Sequence, residues 1–442
     1  MTIADAQVEP RRRLHPLTPL LRSFRMLALA VAAISWQGYS QLGTRRWLVA
    51  LVLVAAATAA YSLIAWYMTG FQIVQRELRV YDGVLSRRTR AIPLERVQSI
   101  ELVQPALARL FGLAELRLEV VGGSRTEAPL AYLPAGDAAA LRDHLLSVSR
   151  GAGATVETAA PAATPESVVH TVADRDLIVS QLLRPQVWAV PVAVAGIVVS
   201  FVMDRQAGLI GIAALLTAVV GAVLAPIRQV LGDWRFTVGD SVDGLRIRRG
   251  LLERRHQTVP PGRVQAVGVQ WPLLWRAQGW VRARMDVAGV GKPGDEATRE
   301  GTLLPVGTVP TARLVVAHAL PGFDLTAIAL RPVPRAAHWL APLRRFVLGY
   351  TLTEKGFVVR YGLLTRTLVV VPYARIQSVR VRQGPVQRLL GLATVHADTA
   401  GGSLSAVAEH RDAAEARALA EELAEQSRAA RRAAAGPGDP RP

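Results

Sequence analysis

The chain has 442 residues, 51% of them hydrophobic but only 6% aromatic. Its formal charge is +18, almost all of it arginine, since Lys292 and Lys355 are the only lysines. Cysteine is absent, which excludes disulfides, thiolate metal sites and thiol nucleophiles.

Length alone is a prior for about three domains. Ala, Val and Leu come in long runs, the pattern of membrane spans. The positive charge suits an anionic surface, whether lipid headgroup or nucleic acid. The competing explanation is arginine-rich composition plus ordinary positive-inside residues.

Residues 1–24 form a basic N-terminal segment with Arg11, Arg12, Arg13 and Arg22. Residues 25–69 read as a first transmembrane hairpin. Its first span, 25–42, is the weaker because Gln37 and Gln41 interrupt it. Its second, Trp47 to Thr69, carries no charge over 23 residues, enough to cross a ~30 Å core at ~1.5 Å per residue. A strand-rich unit follows at 70–150, ending in a helix over 137–148 with Leu141, Leu145 and Leu146 on one face. Residues 151–173 read as an Ala-, Pro- and Thr-rich linker. An interfacial helix from Asp174 to Trp188 and a second hairpin fill 174–230. A second strand-rich unit spans 231–323, a Pro- and Trp-containing junction 324–345, and a third unit 346–427. The tail, 428–442, reads as disordered. The arginines flanking the spans place both termini and all three units in the cytoplasm, at the cell membrane, although Arg45 and Arg46 run against the rule.

The three units are copies of one another. Gly83–Gly112, Gly250–Gly279 and Gly362–Gly391 align over 30 residues without a gap. Arg87, Arg254 and Arg366 fall at one position; Arg96, Arg263 and Arg375 at another. Gln98, Gln265 and Gln377 coincide, as do Arg109, Arg276 and Arg388. Chance would give roughly one three-way identity or fewer in such a window. Period-two alternation puts each Gln on an apolar strand face, which suits a buried residue that satisfies loop backbone groups. The repeated arginines admit two roles, pairing inside each unit or facing lipid phosphate. Identity in all three copies favours the fold. The variable Arg246, Arg248, Arg249, Arg380 and Arg382 are better candidates for headgroup or partner contact.

The G-L-L-x-R pieces (Gly250–Arg254, Gly362–Arg366), the P-x-x-R-[VI]-Q pieces (Pro93–Gln98, Pro260–Gln265, Pro372–Gln377) and R-x-x-G (Arg109–Gly112 and its counterparts) resemble the bacterial pleckstrin-homology-like (bPH2) multi-span membrane proteins of the YdbT-like family. So does Leu14-His15-Pro16-Leu17 ahead of the first span. The resemblance implies two hairpins of α-helical spans plus three α+β pleckstrin-homology-like small β-barrels, each capped by a C-terminal helix. It implies a non-enzymatic scaffold that binds protein or lipid, with a role in envelope stress or resistance to membrane-active peptides. Expected partners are the anionic membrane surface and a protein, such as a smaller relative with the same domain. Self-association stays open, and no nucleic acid is expected. The lipid site of eukaryotic relatives does not carry over, because the first-hairpin turns Thr353-Glu354-Lys355-Gly356 and 239–244 are mixed or acidic.

No catalytic, cofactor or metal residue is nominated. The eight His are scattered, without a ligand pair at helical spacing. Gly289-Val290-Gly291-Lys292 lacks the upstream Gly and the Ser/Thr of a phosphate loop. Gly122-Gly123-Ser124 and Gly401-Gly402-Ser403 occupy one repeated turn and read as structural. The alternative function is a membrane enzyme acting on lipid or peptide, with Asp286, Asp295, Glu296 and Glu300 as its acidic cluster. A transporter component is the weaker alternative, since no charged residue lies mid-span.

Overall fold

This computed structural model describes residues 45–49, 51–74, 77–82, 88–94, 97–120, 130–149, 167–203, 223–242, 244–260, 262–287, 301–323, 328–400 and 404–435, with 15, 18, 221 and 325 besides. The expected span at 25–42, the start of the fourth span, the turns at 122–124 and 401–403, and residues 288–300 lie outside the described residues. The chain divides into two compact units. One is Met1–Ala163 with Glu253–Gln257; the other is Thr164–Leu252 with Thr258–Pro442.

In the first unit, α1 (Arg45–Met68) is the one helix among the described residues that is long and apolar enough to cross a membrane. The chain then enters an antiparallel sheet of β1 (Gly70–Val74), β2 (Glu77–Asp82) and β3 (Arg88–Pro93). A second sheet follows. β4 (Val97–Gln104) leads through the short α2 (Ala106–Leu110) to β5 (Leu113–Val120) and β6 (Leu130–Pro134). Gly112 sits at φ +66 in the turn after α2, a conformation that glycine adopts without a Cβ penalty. α3 (Ala135–Ser149) closes the copy. Alternation supplies the core: Phe71, Ile73, Leu78 and Val80 from one sheet meet Ile100, Leu102, Leu116 and Leu118 from the other, with Leu141 and Leu145 of α3 between. This is a PH-like β-sandwich with a C-terminal helix.

The second unit opens with β7 (Ser167–Thr171), α4 (Asp174–Leu182), α5 (Pro185–Met203) and α6 (Val223–Gly232). β8 (Thr237–Ser241), β9 (Gly244–Arg249) and β10 (Arg254–Val259) follow. Then come β11 (Val264–Pro272), β12 (Trp280–Val287), β13 (Thr302–Thr308) and α7 (Val309–Ala319). The third copy adds β14 (Arg331–Pro332), β15 (Gly349–Leu352), β16 (Gly356–Tyr361), β17 (Thr365–Pro372), β18 (Ile376–Arg382), α8 (Pro385–Leu389), β19 (Leu392–Thr399), β20 (Ala406–Asp412) and α9 (Ala413–Ala435).

The strand pairing departs from three closed barrels. One seven-stranded sheet runs β13-β12-β11-β17-β16-β15-β14, so strands of copies two and three share it. β11 and β17 are antiparallel, from Val267↔Val370 to Pro272↔Thr365. Both faces of β17 are buried. Leu368 and Val370 face the core of copy two, whereas Val369 and Val371 face that of copy three. A strand covered on both sides reads as an apolar run rather than an alternation, hence Leu368-Val369-Val370-Val371.

Three expected boundaries need correction. The linker ends early, because 167–171 pair with β8. The interfacial helix stops at Leu182, since Pro185 has no N–H to give and restricts Arg184 before it. The tail is helical as far as Ala435. Residues 428–435 are all Ala or Arg, strong helix formers, and Arg431 donates to the Ile376 carbonyl at 2.7 Å.

Candidate functional site

The copies meet by a repeated rule. The third strand of copy three, β17, lies on the fourth strand of copy two, β11. In the first unit, β10 lies beside β4. There Arg255 Nη1 is 3.5 Å from Glu101 Oε1. The fourth strand of copy three is β18, which ends the sheet β18-β19-β20. Among the described residues no strand pairs with its outer edge. Exposure marks the difference: Val381 of β18 is 42% exposed, whereas its counterparts Val269 and Leu102 are 1% and 5% exposed. β18 thus presents a row of backbone donors and acceptors of the kind that accepts an added strand.

The side chains of this edge are organised. Arg380 binds Asp398 through two bonds, Nε to Oδ2 and Nη2 to Oδ1, each 2.6 Å. Ser378 Oγ donates to the same carboxylate at 2.8 Å. The bond from Arg380 is the main cause that holds the Asp398 carboxyl below its ordinary range. Arg380 and Arg382 lie on one face of the strand, and both are exposed. The counterpart of Arg380 in copy two is Gly268. It gives room to Leu404, whose Cδ2 would lie 2.7 Å from an added Cβ.

The repeated residues divide between structure and surface. Arg276 donates to the carbonyls of Leu363 and Leu364 at 3.0 and 2.9 Å, and to that of Trp271 at 3.3 Å. Arg375 donates to the Gly262 carbonyl. Each ties copy two to copy three, and Arg276 also bonds within its own copy. Gln265 is buried and donates to the Arg263 carbonyl at 3.1 Å, whereas its counterpart Gln377 is exposed, against the buried role expected of all three. Gln377, Arg254, Arg366 and Arg388 are exposed, and Arg263 is half-buried. Arg109 is exposed on α2. Arg87, Arg96 and the side chain of Gln98 lie outside the described residues.

Among the variable arginines, Arg249 is buried against Asp233, 3.5 Å away, and Arg246 is buried as well. Neither suits headgroup contact from the surface. Arg248 and Arg382 are exposed.

The described residues contain no group of three or more metal-ligating side chains. Of the acidic cluster, Asp286 is buried and accepts the Leu404 N–H at 2.9 Å, a structural role. Asp295, Glu296 and Glu300 lie outside the described residues.

Sequence reasoning missed one regularity. Tyr67, Trp234 and Phe346 all stand sixteen residues before their copy's first glycine. Tyr67 is in the last turn of α1, and Trp234 follows α6 by two residues. Phe346 lies in a 3-10 turn of the junction, which holds that place in copy three. The junction exposes Trp339 (79%), Leu343 (66%) and Phe346 (71%) at helical spacing. The guanidinium of Arg345 lies 4.4 Å above the Phe346 ring.

Antiparallel sandwiches with a closing helix, repeated in tandem and sharing their sheets, define a tandem PH-like protein. The bacterial PH domain family matches residues 24–149, 189–322 and 312–427, and the chain belongs to that family. The chain is also 22% identical over 280 residues to the UPF0699 transmembrane protein YdbT of Bacillus subtilis (strain 168). That match covers 58% of this chain and 56% of the relative, so it spans little more than half of that protein. No solved structure matches.

Proposed function

We propose that the protein is a non-enzymatic, multi-pass membrane scaffold whose open β18 edge accepts an extended strand from a protein partner. The observation that carries this is the contrast between β18 and its counterparts. The same strand is covered in copies one and two by the third strand of the following copy, and among the described residues it is bare in copy three. The occupant that fits is the third strand of another chain with the same domain. Carboxylates facing Arg380 and Arg382 would complement it, as Glu101 complements Arg255 in copy one.

Anchoring by two hairpins, with the PH-like domains and both termini cytoplasmic, is part of this reading. α1, the apolar α5 and α6, and the transmembrane relative support it. The resemblance adds a setting, the response of the envelope to stress or membrane-active peptides. No observation favours the enzyme alternative, since Asp286 is spent on the fold.

A photo-crosslinker at position 381, with position 269 as the covered control, tests the edge in native membranes. One discrete adduct at 381, reduced by Arg382→Glu and missing at 269, is expected. Absence of any adduct at 381 in cells that express the full chain sinks the proposal.

A further inference from the structure

In the second unit, a cleft of about 250 Å3 lies between Arg184, Arg228 and Gln229 on one side and Arg282, Arg284 and Thr302 on the other. Arg184 occupies the break between α4 and α5, and Arg228 stands on α6. Arg282 and Arg284 alternate along β12 and so share a face. Among the described residues no carboxylate lines the cleft. Asp233 and Asp286, outside the lining, attract Arg184 and Arg284. Arg282 Nε donates to a neutral acceptor, Gln270 Oε1, at 2.6 Å. Burial, then the charges of Arg184 and Arg284, pull the Arg282 guanidinium down to about 10. A fold that gathers like charges in a partly buried cleft incurs desolvation and repulsion, which an anion seated among them offsets.

The surroundings narrow the anion. α5 carries no charge, so Arg184 sits just outside an apolar helix. Trp188 is exposed near the start of that helix, and its Nε1 donates to the Leu182 carbonyl at 3.1 Å. Aromatic rings of this kind mark the interface level of a bilayer. Guanidinium forks match phosphate oxygens bidentately.

We infer that this cleft binds the phosphate of an anionic phospholipid headgroup, held between Arg184 and Arg228 at the membrane helices and Arg282 and Arg284 on the sheet. The inference rests on the membrane-anchored reading above, but not on any protein partner at β18.

The test uses the full chain purified in neutral detergent. Native mass spectrometry would count retained lipid after incubation with phosphatidylglycerol or phosphatidylcholine, and thermal unfolding would be followed in parallel. Inorganic phosphate and glycerol 3-phosphate serve as soluble arms. Phosphatidylglycerol should be retained and should raise the unfolding temperature, with phosphatidylcholine inert. Arg282→Gln and Arg228→Gln should each weaken retention about tenfold or more. Arg228 is exposed on α6, so its variant should unfold like the wild type without lipid. Equal retention by wild type and Arg228→Gln overturns the inference. So does equal protection by the soluble phosphates, which would make this a site for a free anion. Flotation of the variants with membranes separates the two readings: a chain that does not float defeats the anchoring, and a floating chain with unchanged lipid retention defeats only this site.

Discussion

Gly268 is a close contact between copies two and three. Its missing Cβ leaves room for Leu404, which is itself buried. Gly268→Ala should cost about 1–3 kcal/mol by overpacking, read as a lower unfolding temperature. Leu404→Ala in the same chain should recover part of that loss, and a double-mutant cycle without coupling would refute the contact. Nothing in the sequence marked this glycine, because its counterparts are Glu101 and Arg380. The repeated arginines were weighed between a role inside each copy and lipid phosphate, and the junction between copies was not among those readings. A position repeated in every copy looks the same whether it bonds within a copy or to its neighbour. Arg276 and Arg375 settle for the neighbour, whereas Arg388, the copy-three counterpart of Arg276, is exposed.

Single elements were read with mixed success, and for physical reasons. Alternation and turn glycines located most strands, because one-sided burial imposes period two. β17 broke that pattern because it is buried on both faces. The extension of α9 was hidden by an Ala- and Arg-rich composition that suits disorder and helix alike. The junction near 339–346 reads as Pro- and Trp-rich chain, yet it exposes three large apolar side chains at the place where the other copies carry the end of an apolar helix. With the membrane anchoring proposed above, this element is predicted to lie at the bilayer interface. The natural absence of cysteine allows a single nitroxide at Phe346→Cys in the full chain reconstituted in vesicles. The label should be more accessible to oxygen than to a water-soluble nickel chelate. The reverse order would remove the junction from the membrane surface.

At the scale of the whole molecule, the copies are not separable beads. Copy two completes its sheet with β17, and its core includes Val358, Leu368 and Val370 from copy three. Removal of 324–442 should therefore expose β11 and give an aggregating product, judged by size-exclusion chromatography of the detergent-solubilised chain. A monodisperse truncated chain with the unfolding temperature of the full protein would contradict the shared sheet. Three copies were legible from aligned residues, but the sharing was not. Strand order within a copy is local information, and edge pairing between copies depends on contacts far apart in sequence.

The shared sheet also sets a schedule for biosynthesis. The ribosome delivers β4 long before β10, and β11 long before β17. At each stage the newest copy waits with an open edge until the next one emerges. Domains ordinarily fold as units as they leave the ribosome, but the sheet and core of copy two are complete only once β17 has emerged. The nascent chain is most vulnerable between copies, and a holdase that shields strand edges would matter most there. Among the described residues the outer edge of β18 receives no such strand, and it is the edge proposed above for a second polypeptide.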